Sequence, residues 1–141
     1  MRKLTAAVLL VAFTVLCVSL FPTTGSAGDE DAVLLARTIY ALAGDESYET
    51  MLAIGTVIMN RVDNVWFADT LTEVLNEQMQ FPSGTRYSED SLQAARDVLG
   101  GTRVLQSDVV YYQRVNSSDP IGTSPVATIG RFAFYADSIR I

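Results

Sequence analysis

Residues 34–62 read LLARTIYALAGDESYETMLAIGTVIMNRV, and that stretch decides the fold. Going outward from it, Ala32, Leu35, Ala36, Ile39 and Ala43 recur at helical spacing and predict a first helix that Gly44 ends. Asp45, Glu46 and Ser47 follow, each suited to the N-terminus of a second helix. In that helix Met51, Ile54, Gly55, Ile58 and Val62 form one stripe, while Leu52, Ala53, Val57 and Met59 cover much of the rest. A helix apolar nearly all round belongs in the middle of a domain. The stretch therefore predicts a helix, a tight break and a buried central helix.

On the N-terminal side, residues 28–31 (GDED) read as a short acidic lead-in. On the C-terminal side, Thr70 and Glu73 have capping-box spacing and open a short helix through Leu71, Val74 and Leu75. Ser88 or Asp90 starts a fourth helix with Leu92, Ala95 and Leu99 on one face and Gly100-Gly101 as its stop. The pattern then changes. DVVYYQRV (108–115) and RFAFYA (131–136) are rich in β-branched and aromatic residues and predict two short strands. NSSDPIGTSP (116–125) between them is made of turn residues. The expectation is an α+β domain, mainly helical with a small C-terminal β-hairpin.

Met1, Arg2 and Lys3 precede eighteen uncharged, mostly apolar residues, Leu4 to Phe21, and Gly25 and Ala27 supply a small-residue exit. This pattern predicts a secretory signal peptide over 1–27 and a domain over 28–141, with an uncleaved signal anchor as the alternative. Beyond Ala27 the chain has about 114 residues, enough for one core, and neither Cys nor His nor Lys. No disulfide, zinc site or His-dependent nucleophile is expected there, nor any cofactor, so acid–base chemistry falls to carboxylates, tyrosines or the substrate itself. The ten basic residues include Arg2 and Lys3, so the exported form carries eight against sixteen acids, a formal charge of −8. Such a charge repels nucleic acid and anionic surfaces.

Five segments in order resemble the SleB-type cell wall hydrolases, the spore cortex-lytic enzyme family. They are LLARTIYALAGDESYETMLAIGTVIMNRV, VLNEQMQF (74–81), SLQAARDVLGG (91–101), VVYYQ (109–113) and IGRFAFY (129–135). The resemblance implies a lysozyme-like, peptidoglycan-directed domain that cleaves glycan strands, with glycan strands as its partner. A glycosidic oxygen leaves well only when protonated, a task for a carboxylic acid of raised pKa. The family's glutamate for that task falls at Leu42, which can neither give nor take a proton. The family's glycine becomes Asp45, its proline Ser47, and the histidine of its last strand Phe132. Matching residues include Glu46, Tyr48, Asn60 and Arg61, together with Gln80, Phe81, Tyr112 and Tyr135. By that correspondence Leu42, Gln80, Phe81, Tyr112 and Tyr135 would line the glycan cleft, and Glu46 is the nearest candidate for any remaining catalysis. Bland roles stand beside these. Leu42 extends a core stripe, Glu46 favours the start of the second helix, Arg61 holds buried oxygens, and Trp66-Phe67 anchors a loop by packing, with saccharide stacking as the alternative. A non-catalytic wall-binding or regulatory module on the same fold is the alternative to an enzyme.

Overall fold

The computed structural model describes residues 27–118 and 120–137. The expected leader thus lies outside the described residues, apart from Ala27 itself. Helix α1 runs Ala27–Ala43, five residues earlier than Ala32. Asp29 and Glu30 occupy its first turn, where carboxylates interact favourably with the helix dipole. The acidic lead-in is therefore part of the helix.

Helix α2, Tyr48–Val62, begins behind Ser47, whose side chain accepts from the Thr50 N–H at 3.2 Å. It touches α1, the later helices and the sheet, as its all-round apolar surface requires. Ala53, Ile54, Val57 and Ile58 are fully buried. At Gly55 a Cβ would stand 3.0 Å from Val98 and 3.2 Å from Ile39, so the flanking helices close on α2 where it has no side chain. Helix α3, Leu71–Leu75, is capped by Thr70, which accepts from the Glu73 N–H at 3.3 Å. Helix α4, Glu89–Leu99, opens at Ser88 rather than Asp90, with Ser88 and Ser91 capping each other's backbone N–H.

The sheet has three strands, not two. Strands β1 (Val109–Arg114), β2 (Ala127–Ile129) and β3 (Phe132–Ala136) pair antiparallel in the order β1-β3-β2. The tight hairpin is β2–β3, and β1 reaches β3 only after the long turn-rich segment. Phe132 and Phe134 are fully buried on one side of β3 and join the core of α1 and α2.

Candidate functional site

Leu42 lies in the last turn of α1, half-buried, with Ile39 and Ala43 beside it fully buried. It packs against the core formed by α1, α2 and β3. The stripe reading holds in part: the side chain is shared between core and surface.

The turn after Leu42 carries two carboxylates, and a single cation gathers both. Arg131, between β2 and β3, donates from Nε to Glu46 Oε1 and from Nη2 to Asp45 Oδ2, the latter at 2.6 Å. The Glu46 side chain is 9 % exposed and that of Asp45 72 %. The hydrogen bond from Arg131 holds the Asp45 carboxyl below the usual carboxylate range, and Glu46 and then Asp45 push the guanidinium up. Gly130 makes the approach possible. Its φ of 57° suits glycine, and a Cβ there would collide with Glu46 Oε2 and stand 2.7 Å from Thr50 Oγ1. Glu46 is thus covered by a turn 85 residues away in sequence and latched to it.

At the other end of α2, Arg61 is 2 % exposed and organises a second cluster. Its Nε donates to the Val110 carbonyl at 2.7 Å and its Nη1 to Gln80 Oε1 at 3.1 Å, with Glu77 3.5 Å away. Its guanidinium lies 4.8 Å from the Phe81 ring centroid and 5.0 Å from that of Phe67. Burial pulls the Arg61 pKa down, and Glu77 opposes that shift. Asn60 donates to the Gln106 and Val109 carbonyls at 2.7 and 3.0 Å. Both residues therefore fix β1 and its approach to α2. This matches the structural role that a planar donor in an apolar helix suggests.

Gln80, Phe81 and Tyr112 come together. Phe81 stacks on Tyr112 at 5.6 Å, and the Tyr112 hydroxyl donates to the Gln80 carbonyl at 2.7 Å. Burial pushes the Tyr112 phenol up. Phe81 is only 8 % exposed and Tyr135 only 6 %, so these two rings fill the interior rather than offer a sugar a face. Tyr135 also lies on the side of β3 opposite Phe134. No hydrogen bond or ring contact among the described residues joins this group to Leu42 or Glu46. Trp66 departs from the packing expectation in being 64 % exposed, while Phe67 packs edge-on to Tyr111 at 6.2 Å.

Two further features escaped the sequence reading. The Tyr48 hydroxyl donates to Asp97 Oδ2 at 2.5 Å, tying α2 to α4. Burial and that hydrogen bond push the phenol up to about 12, while Tyr48 and Gln93 hold Asp97 down. Arg114, at the end of β1, lies over the Phe132 ring at 5.3 Å. It shares a groove of ≈ 550 Å³ with Arg131 and residues 115–118. Such pairings link residues far apart in sequence, and no local pattern announces them.

Chemically, both carboxylates of the latched pair are engaged by Arg131, and Leu42 carries no titratable group. Among the described residues no group of acids is arranged to hold a metal ion.

A protein-family profile described as Cell Wall Hydrolase matches residues 45–135. The chain belongs to the cell wall hydrolase family. The match starts at Asp45, so Leu42 stands just ahead of it. Among curated relatives, the spore cortex-lytic enzyme of Bacillus subtilis (strain 168) is 27 % identical over 118 residues. That alignment takes in 78 % of this chain and 39 % of the enzyme, so the chain spans well under half the relative's length. The catalytic domain of the Bacillus cereus SleB protein superposes with a TM-score of 0.69 at 23 % identity, covering 81 % of this chain and 94 % of that domain. The catalytic domain of the germination-specific lytic transglycosylase SleB from Bacillus anthracis gives 0.68 at 24 %, covering 82 % and 99 %. The cell wall hydrolase fold here is thus lysozyme-like, with four helices and a small antiparallel sheet among the described residues.

Proposed function

We propose that this cell wall hydrolase family member is exported, binds peptidoglycan glycan strands and cleaves them weakly or not at all. The observation that carries the reading is the half-buried Leu42 at the end of α1, where the family resemblance calls for the acid. A lytic transglycosylase needs one carboxylic acid, since a hydroxyl of the sugar itself takes the place of water. General acid–base catalysis contributes about 10²–10⁴ in rate, so its loss is severe. Glu46, the nearest substitute, is shielded and held by Arg131, which further supports weak cleavage. Any residual activity depends on Glu46 leaving that ion pair.

The same latch supports the second reading, a non-catalytic wall-binding or regulatory module on the same fold. Two measurements divide the possibilities. Sedimentation of the mature protein with purified peptidoglycan tests wall binding, and staying in solution would refute both readings. Release of soluble muropeptides tests cleavage, and release as fast as by an active family member would refute weak catalysis. Export is tested by N-terminal sequencing of secreted material, which should begin near Gly28. A membrane-bound product retaining Met1 would instead establish the signal anchor.

A further inference from the structure

The groove beside the latch has a chemistry that the reading above leaves unused. It is lined by Arg114, Val115, Asn116, Ser117, Ser118 and Arg131. Two of its six lining residues are arginines, although the chain as a whole is acidic. The two differ in what they have left to give. Arg131 commits its Nε–H to Glu46 and one Nη2 hydrogen to Asp45, and with its side chain 55 % exposed it keeps donors for solvent. Arg114 is exposed, and among the described residues no carboxylate stands within ion-pair distance of it. Its guanidinium lies over the Phe132 ring, a contact that stabilises a cation while leaving the N–H edges open.

The groove wall is also built rather than loose. Gln113 Nε2 donates to Ser117 Oγ at 3.0 Å, and Gln113 Oε1 accepts from the Ile121 N–H at 3.0 Å. The Val115 N–H donates to the Arg131 carbonyl at 3.0 Å, which ties the segment after β1 to the β2–β3 turn. A planar fork of donors held by an aromatic face matches a carboxylate bidentately. Asp45, Glu46, Arg131 and Arg114 cancel in formal charge. Recognition there would rest on directed hydrogen bonds rather than on a broad positive field.

We propose that this groove is a carboxylate-binding subsite for the wall polymer, with Arg114 as its anchor. The inference rests on the peptidoglycan-binding reading and adds the part of the polymer that is recognised. Glycan strands offer carboxylates from two sources, the peptide stem and the lactyl group of a muramic acid stripped of its stem.

The test titrates the mature protein and its Arg114→Gln and Arg114→Lys variants with three soluble probes, followed by NMR chemical shifts. The probes are N-acetylglucosaminyl-N-acetylmuramyl-tripeptide, the same disaccharide without peptide, and chitotetraose, which has no carboxylate. Arg114→Gln should weaken an acidic probe about tenfold, as expected for one solvent-facing charge-assisted contact. Chitotetraose binding should stay within about twofold, and Arg114→Lys should fall between, for it keeps the charge but loses the fork. A loss confined to the tripeptide probe assigns the stem, a loss confined to the peptide-free disaccharide assigns the lactyl carboxylate, and a loss with both shows that the groove takes either carboxylate. Unchanged acidic-probe binding in Arg114→Gln overturns the inference, as does an equal loss with chitotetraose. Failure of the wild-type protein to bind either acidic probe also overturns it. Sedimentation with whole peptidoglycan then reports separately on the reading beneath it.

Discussion

Replacing Leu42 by glutamate tests stability and chemistry in one variant. A fully buried leucine contributes about 1.5–3 kcal/mol, so a half-buried one forfeits roughly 1 kcal/mol when removed from the core. Partial desolvation of the new carboxyl adds a cost on the order of 1–2 kcal/mol. Together these give about 2–3 kcal/mol, or roughly 10–20 °C in melting temperature for a domain of this size. The pH dependence has a definite sign. Desolvation raises the folded-state pKa of the new glutamate above its unfolded value of about 4.3. The penalty is therefore smallest below about pH 4 and grows as pH rises through the folded pKa. A raised pKa is also what a proton donor needs, so muropeptide release should appear near neutral pH and exceed wild type by at least about tenfold. Calorimetry and muropeptide chromatography on one preparation measure both effects. A folded Leu42→Glu protein that sediments with peptidoglycan yet releases nothing refutes the idea that only the acid is missing.

Gly130→Ala should cost roughly 2 kcal/mol, from left-handed backbone strain plus the clash with Thr50 and Glu46, read as a fall in urea midpoint with unchanged slope. A neutral result would mean that the turn can leave Glu46 freely. Tyr48→Phe removes the hydrogen bond that holds the Asp97 carboxyl down. Because a depressed carboxylate stabilises above its unfolded pKa near 3.9 and loses that effect as pH falls through the folded one, the variant's deficit should be seen at pH 7 and shrink below pH 4. A deficit constant across that range would remove the ion from the explanation. Arg61→Met should cost about 3 kcal/mol by orphaning the Val110 carbonyl and unstacking Phe67 and Phe81, and stability unchanged in thermal melts would contradict the hub. Chelators and reductants should leave the melting temperature of the mature protein unchanged, since it has no Cys or His. A fall with EDTA would reveal an oxygen-ligand cation site.

The two helices around residues 34–62 were legible because their apolar spacing, their break at Gly44 and the Ser47 cap are local signals. The start of α1 was misplaced because GDED carries no apolar spacing, although acids in a first turn favour a helix. Strand β2 was missed because three residues behind Pro125 give no alternation to detect. The site was harder still. Leu42 stands out only against a family pattern, while the Arg131 latch joins positions 85 apart. Phe81 looked available to sugar only through the family correspondence, and Tyr135 because an aromatic strand carries no mark of which face meets the core. Trp66 erred the other way, its size suggesting burial while the structure leaves it outside.

Arg61 has a consequence for how the molecule opens. One buried cation holds the end of α2, the segment after α3 and the first residues of β1, through Gln80, Glu77 and the Val110 carbonyl. Residues 77–81 have no helix or strand of their own, so by themselves they would fray and exchange their amide hydrogens early. Fastened to a charge that cannot be exposed piecemeal, they should instead lose protection in step with the central helix. Hydrogen exchange would then show this irregular stretch opening as slowly as the most regular part of the fold.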